Sequence, residues 1–191
     1  MKMPDYSSEV KKRFYGIDPK VNCPEITFQV TDDCCLKCTY CYQTHKGHKM
    51  MTKETAKKIV DLLFKLYDEN KEDSVINHHT YGIILDFIGG EPFMNVPVIE
   101  YTMEYFLNEC FKRDHIWLTN CRASISTNGL LYFEPDTQAF LKKYKDFISL
   151  NVTIDGPKEV HDLCRVDYNG NGSFDRAMAA WEDWFLKTGV N

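Results

Sequence analysis

The sequence predicts an α/β fold in which helices cover a parallel sheet, arranged as a partial (βα) barrel. Two observations lead to this prediction. Segments with the pattern of a strand alternate with segments whose apolar residues have helical spacing. The chain has 191 residues, of which 43% are hydrophobic, which is enough for one sizeable core. Because a closed eight-unit barrel takes about 250 residues, the roughly four βα units present here predict an open arc of strands.

The composition argues against two classes of partner. The 23 Lys and Arg residues against 28 Asp and Glu residues give a net charge of −5, which disfavours a nucleic acid bound through its phosphates. The most apolar stretch, Tyr81 to Gly90, is too short to span a membrane and contains Asp86. The first residues carry charges and a proline where a secretory leader has its apolar segment. We therefore expect a cytoplasmic protein with neither a nucleic-acid nor a membrane partner.

The predicted units begin after a polar extension. Residues 1–22 form this N-terminal extension, and residues 23–191 form one core that we expect to be incomplete at its C-terminus. The first strand, EITFQVT, starts at Glu25 and ends next to a cluster of cysteines. Thr52 can cap the helix that follows. The apolar face of that helix has amphipathic spacing: Ala56, Ile59, Val60, Leu63 and Tyr67.

In the later units, each strand ends in a turn motif. YGIILDFI leads to GGEP, ASIS leads to TNG, and ISLNVTI leads to DGP. A helix follows each motif, after a longer connection in the last unit. The apolar or starting residues of these helices are Ile99, Met103, Phe106, Leu107 and Cys110 in the second unit, Pro135 in the third, and Ala177, Ala180, Trp181 and Trp184 in the fourth. Parallel barrels bind their ligands at the carboxyl ends of the strands, so this is where we expect the site.

Four of the eight cysteines fall between Cys34 and Cys41, in a segment that we call the cysteine loop. This clustering indicates metal or redox chemistry rather than disulfides. Cys34, Cys38 and Cys41 have the spacing C-x3-C-x2-C. Three thiolates on one loop can each bind a different iron of a cubane cluster, which leaves one iron open to a substrate or cofactor. The cysteines outside the loop are predicted to be small, buried apolar residues: Cys23, Cys110, Cys121 and Cys164.

Other uses of the cysteine loop fit its spacing less well. A bacterial ferredoxin pattern would need a Cys-Pro pair after the run, and a structural zinc site would need two separated pairs. A thioredoxin-like pair of Cys38 and Cys41 would leave Cys34 unexplained. Cys35 adjoins a candidate ligand, but its spacing to Cys38 is wrong, and adjacent residues at a strand end point in opposite directions.

With Tyr40 before its last cysteine and a strand before its first, the loop resembles that of the radical SAM enzymes. The resemblance implies a 4Fe-4S cluster that binds S-adenosylmethionine (SAM) and, after one-electron reduction, releases a 5′-deoxyadenosyl radical. It also implies a one-electron reductant such as flavodoxin or ferredoxin. Contacts to SAM are implied for the backbone of Tyr40.

Two further motifs match the same family in the segments that contact SAM. The resemblance implies that Gly89, Gly90 and Glu91 bind the amine of SAM, where a carboxylate is a suitable acceptor. It also implies that the segment from Ser126 to Gly129 lines the SAM pocket.

The stretch VTIDGPKEVHDLCR resembles the peptide-modifying, SPASM-type branch, which includes the anaerobic sulfatase-maturing enzymes. This resemblance implies that Thr153 and Arg165 contact the ribose and carboxylate of SAM, and that the substrate is a peptide or protein. A guanidinium suits a carboxylate because it can bind both oxygens. Asp155 and His161 also match the branch and are predicted to shape the turn and the following helix.

Alternative functions stay open at this point. A glycyl-radical activase or a small-molecule radical SAM enzyme would share the cysteine loop, although the stretch after the fourth strand argues against both. A non-catalytic iron-sulfur fragment is a further alternative. Relatives in this branch have six βα units and a cysteine-rich C-terminal region, so no catalytic residue is assigned here. His45, His48, His78 and His79 are predicted to be solvated loop residues.

Overall fold

A computed structural model describes residues 22–43 and 47–189. It contains one sheet of four parallel strands in the order β1-β2-β3-β4. Their bounds are β1 Glu25–Thr31, β2 Ile83–Gly89, β3 Cys121–Thr127 and β4 Ile148–Val152. The sheet is open, and the prediction of a partial (βα) barrel is confirmed. The predicted extension lies outside the described residues, apart from Asn22.

Helices connect successive strands, as βα units require. They are α1 Lys53–Glu69, α2 Val96–Lys112, α3 Pro135–Tyr144, α4 Lys158–Cys164 and α5 Phe174–Thr188, with short 3-10 helices at Pro92–Asn95 and Ile116–Leu118. Thr52 caps α1 as predicted, because its side chain accepts a hydrogen bond from the Thr55 backbone N–H at 3.2 Å. The short helix α4 lies in what the sequence indicated only as a connection. No helix in the described ranges is long and apolar enough to cross a membrane.

The two faces of the sheet differ in polarity because side chains alternate along each strand. One face packs against the helices and forms the main core with Phe28, Val30, Leu85, Phe87, Ala123, Ile125, Ile148 and Leu150. On the other face, one row in register across the four strands is polar: Thr27, Asp86, Ser124 and Ser149. The Thr27 hydroxyl donates to Asp86 within this row at 3.4 Å.

The cysteines outside the loop differ in their burial. Cys110 and Cys121 are buried in the core, as predicted. Cys23 and Cys164 are only partly buried, so the prediction was wrong for these two. Cys164 ends α4, and its carbonyl faces the cysteine loop, where it accepts from the Thr39 N–H at 2.9 Å.

Candidate functional site

A cavity of about 270 Å³ opens at the carboxyl ends of the strands. Its walls come from the cysteine loop after β1 and from the segments that follow the other three strands. The predicted site residues that line it are Cys34, Cys38, Tyr40, Cys41, Gly89, Gly90, Ser126, Thr153 and Arg165. Glu91 does not line the cavity. The fold therefore brings these side chains together from segments far apart in the sequence.

Hydrogen bonds fix the cysteine loop at its start and along its middle. Asp33 fixes its start, because one carboxylate oxygen accepts from the Cys34 N–H at 2.8 Å. Further along, the Lys37 N–H donates to the Val166 carbonyl at 2.7 Å, next to the bond between Thr39 and Cys164. These bonds join the loop to the segment after α4, so Arg165 lies beside the cysteines.

The candidate ligands do not converge on a single point. In the described part of the chain, no three His, Cys, Asp or Glu side chains are placed to hold one metal ion. This arrangement is compatible with a cubane cluster, since each thiolate then binds a different iron.

Cys34 and Cys35 have different surroundings although they are neighbours in the chain. Cys34 lines the cavity and is 6% exposed. Cys35 is absent from the cavity wall, and its sulfur lies 3.3 Å from the side-chain nitrogen of Asn128. A hydrogen bond with Cys34, together with burial, raises the pKa of the Cys35 thiol. The two neighbouring thiols therefore differ in their access to the cavity.

Gly89 and Gly90 are required by the close approach of the ends of β1 and β2. A Cβ on Gly90 would lie 2.2 Å from the Asp33 carbonyl oxygen, and one on Gly89 would lie 2.5 Å from that of Thr31. In addition, the Glu91 N–H donates to the Asp33 carbonyl at 2.8 Å. The sequence motif indicated glycines at a ligand, and the structure adds this second, packing reason for them.

Glu91 is fully buried and connects the ends of β2 and β3. Its Oε1 accepts from the Thr127 hydroxyl at 2.7 Å and from the Phe93 N–H at 3.1 Å. Its Oε2 accepts from the Asn128 N–H at 2.8 Å. Burial nevertheless raises the pKa of the carboxyl to about 7. The motif placed Glu91 at the site but did not indicate that these protein donors occupy its oxygens.

Arg165 lies in a network of side chains at the wall of the cavity. One guanidinium nitrogen donates to the Tyr40 hydroxyl at 2.6 Å and lies 3.6 Å from an Asp155 carboxylate oxygen. The Tyr40 hydroxyl donates in turn to Asp155. Arg165 is only 9% exposed, and its Nε has no hydrogen-bond partner among the described residues. Arg165 thus places a positive charge at the cavity wall and keeps one buried donor without a partner in the described part of the chain. The sequence motif had assigned Tyr40 through its backbone, whereas here its side chain orients the arginine.

His161 connects the backbone of Asp155 to the backbone of Arg165 through Ser173. Its Nδ1 accepts from the Asp155 N–H at 3.3 Å, so its Nε2 carries the proton and donates to the Ser173 hydroxyl at 3.0 Å. Ser173 then donates to the Arg165 carbonyl at 2.8 Å. These contacts agree with the predicted role of His161 in shaping the turn. Burial lowers the pKa of His161, which favours the neutral ring that these bonds require.

His48, His78 and His79 do not line the cavity. His48 is exposed, and its Nδ1 lies 2.8 Å from an Asp33 carboxylate oxygen, whose hydrogen bond raises the pKa of the imidazole. His78 and His79 are exposed as well, as predicted. His45 lies outside the described residues.

Comparison with known proteins gives a family profile and several relatives. The profile of the Radical SAM superfamily matches residues 28–185. An uncharacterized protein of Methanocaldococcus jannaschii is 32% identical over 149 residues, which cover 78% of this chain and 44% of that protein. A cysteine-type anaerobic sulfatase-maturating enzyme of Clostridium novyi is 30% identical over 148 residues, which cover 78% of this chain and 36% of that enzyme.

A solved structure agrees with these sequence matches. Native anSMEcpe with bound AdoMet and Kp18Cys peptide superposes with a TM-score of 0.63 at 27% identity, over 88% of this chain and 42% of that chain. The chain thus spans less than half the length of each of these relatives. With the family profile matched over most of its length, the chain belongs to the radical SAM superfamily, whose enzymes use a 4Fe-4S cluster together with SAM.

Proposed function

We propose that Cys34, Cys38 and Cys41 hold a 4Fe-4S cluster and that SAM binds beside it in the cavity. The observation that carries this proposal is that these three cysteines and Arg165 line one cavity, and that Arg165 has a buried Nε without a partner among the described residues. When bound, the reduced cluster and SAM supply the radical that abstracts a hydrogen atom from a substrate. The residues of this chain bind and orient the two cofactors.

Arg165 is the proposed partner of the SAM carboxylate. Its buried guanidinium already contacts Tyr40 and Asp155, which hold its plane in one orientation. A carboxylate at the guanidinium would offer an acceptor to the donor that the described residues leave unpaired, and a charge-assisted bond of this kind contributes about 1.5–3 kcal/mol. Tyr40 and Asp155 are therefore proposed as positioning residues for Arg165.

The other lining groups are proposed to bind the remaining polar parts of SAM. Ser126 lies near the end of β3 and Thr153 directly follows β4, and both are exposed and line the cavity, so their hydroxyls are available to the ribose. Gly89 and Gly90 line the cavity with backbone atoms, which suits the amine. Because the Glu91 oxygens have protein donors, we propose that Glu91 supports the amine site by holding the ends of β2 and β3.

We further propose that the whole protein modifies a peptide or protein. The similarity to a sulfatase-maturating enzyme and to a structure with a bound peptide supports this substrate class. A flavodoxin or ferredoxin would supply the electron, and residues 23–191 would form the cofactor-binding part of a longer catalytic core. A reducing, cytoplasmic location is proposed because the cluster ligands must remain thiolates rather than form disulfides.

Anaerobic reconstitution with iron and sulfide tests the proposal. The wild-type chain should gain the brown absorption and, once reduced, the electron paramagnetic resonance (EPR) signal of a 4Fe-4S cluster. Adding SAM should change the signal, because SAM occupies the open iron. The substitution Arg165→Lys should weaken SAM binding about tenfold or more, while the matched surface variant Arg113→Lys should bind SAM as the wild type does. A wild-type chain that takes up no iron would contradict the proposed function.

A further inference from the structure

We propose that Asn128 donates an N–H···S hydrogen bond to the Cys34 thiolate and thereby raises the reduction potential of the cluster. The inference rests on the proposed function, since it requires Cys34 to be a cluster ligand. The side-chain nitrogen of Asn128 lies 3.7 Å from the Cys34 sulfur and 3.3 Å from the Cys35 sulfur. Asn128 is 4% exposed, so water does not compete for these bonds.

The orientation of the Asn128 amide follows from the contacts of its oxygen. The Cys35 sulfur lies 3.6 Å from Oδ1, but this contact does not fix the orientation, because a thiol can donate or accept. The Leu130 backbone N–H lies 3.0 Å from Oδ1, and a backbone N–H can only donate. Oδ1 must therefore face Leu130, which turns the amide nitrogen and its two N–H groups toward the sulfurs. One N–H can bond to each sulfur, so the contact with Cys35 does not prevent a bond to Cys34.

The backbone of Asn128 is held firmly enough to keep this donor in place. Its N–H donates to the buried carboxylate of Glu91, as described above. The next residue, Gly129, has a φ of 81°, and a Cβ there would lie 3.1 Å from atoms of Ala177 and Val152. These contacts fix the turn after β3. The amide is thus positioned before any cofactor binds.

The direction of the expected effect follows from charge. Reduction adds an electron to the cluster and increases the negative charge on its sulfur ligands. A hydrogen-bond donor at a ligand sulfur stabilises the reduced state more than the oxidised state, which raises the potential. Loss of the donor should make the cluster harder to reduce without removing a ligand.

Potentiometric titration of the reconstituted chain, followed by EPR in the absence of SAM, tests the inference. Asn128→Leu removes the donor at similar volume. Asn128→Asp keeps an oxygen for Leu130 but replaces the amide donor with an acceptor. Both variants should keep the iron content of the wild type and show a more negative midpoint potential. Asn120→Leu is the matched control, because Asn120 lies at the opposite end of β3 from Asn128. The midpoint potential of this variant should equal that of the wild type.

The outcomes separate the inference from the proposed function. An unchanged midpoint potential in iron-loaded Asn128→Leu or Asn128→Asp would overturn the inference and leave the cluster assignment intact. Loss of iron from both variants would also overturn it, because a donor that is not a ligand should be dispensable for assembly. Failure of the wild-type chain itself to bind iron would instead contradict the proposed function.

Discussion

Two cysteines of the loop, Cys38 and Cys35, allow a direct comparison of a proposed ligand with a residue that is not proposed as one. We predict that Cys38→Ala abolishes cluster binding and that Cys35→Ser leaves it largely intact. Cys38 lines the cavity with the spacing of a ligand, whereas Cys35 has neither that spacing nor a place in the cavity wall. The measurement is iron and sulfide content after anaerobic reconstitution, with visible absorption as a second readout. Equal iron content in the two variants would refute the assignment.

Individual positions in the site differ in how far the sequence could predict them. The spacing of Cys34, Cys38 and Cys41 was sufficient to indicate a cluster, because ligands on one loop are constrained by local geometry. The contacts between Tyr40, Asp155 and Arg165 could not be predicted from spacing. They depend on pairing of the cysteine loop with a segment over a hundred residues later, and such pairing is a property of the tertiary fold.

At the scale of elements, Glu91 joins two strands. We predict that Glu91→Ala lowers the free energy of unfolding by about 1–3 kcal/mol, because buried donors of Thr127, Asn128 and Phe93 lose their acceptor. Binding of SAM should weaken as well, while iron content should persist since no cluster ligand is removed. Urea unfolding and SAM titration measure the two effects.

The control for this prediction is Glu159→Ala, on the exposed side of α4. This variant should unfold as the wild type does. If Glu91→Ala left the urea midpoint unchanged, the carboxylate could not be the connection between the two strand ends.

His115, at the start of the 3-10 helix Ile116–Leu118, predicts a dependence of stability on pH. Its Nδ1 accepts from the Trp117 N–H at 3.2 Å, and its Nε2 has no hydrogen-bond partner in the described parts of the chain. Burial against aromatic rings lowers the pKa of the imidazole from 6.5 to about 4. The unfolded chain therefore binds a proton across this range while the folded chain does not, so stability falls as pH drops.

The variant His115→Asn separates this effect from general acid unfolding. Asparagine can still accept from the Trp117 N–H but cannot titrate. We expect the urea midpoint of the variant to fall less steeply between pH 6.5 and about 4 than that of the wild type. Parallel pH profiles for the two proteins would show that His115 is not the responsible group.

For the whole molecule, the fold was more predictable than the details of its connections. Strands and long helices repeat their apolar residues with periods that depend only on local geometry, so β1 to β4 and the main helices were found. The short helix α4 has seven residues, too few for a helical period to be distinguished from a loop. Its position depends instead on Asp162, which accepts from the Phe174 N–H at 2.9 Å and so ties α4 to α5.

The open edge at β4 has further consequences for the molecule. The Thr153 N–H donates to the Thr127 carbonyl, and the Ala123 N–H donates to the Phe147 carbonyl. Because bonding alternates along a strand, the backbone groups that face away from β3 are those of Ile148, Leu150 and Val152. No strand in the described residues pairs with this side of β4. Helix α5 packs against the apolar face of β4 but does not pair with its backbone.

We predict that the 191-residue chain associates through this edge, because unpaired backbone donors and acceptors on a strand without lysine or proline favour pairing with a second copy. Asn151 is exposed on β4, and Asn151→Lys places there the charge that natural edge strands use to prevent such pairing. Size-exclusion chromatography with light scattering should give a mass above 22.3 kDa for the wild type and a shift toward that monomer mass for the variant. A wild-type monomer at all concentrations would contradict the prediction, as would an oligomer that Asn151→Lys leaves unchanged, since the contact would then lie elsewhere on the surface.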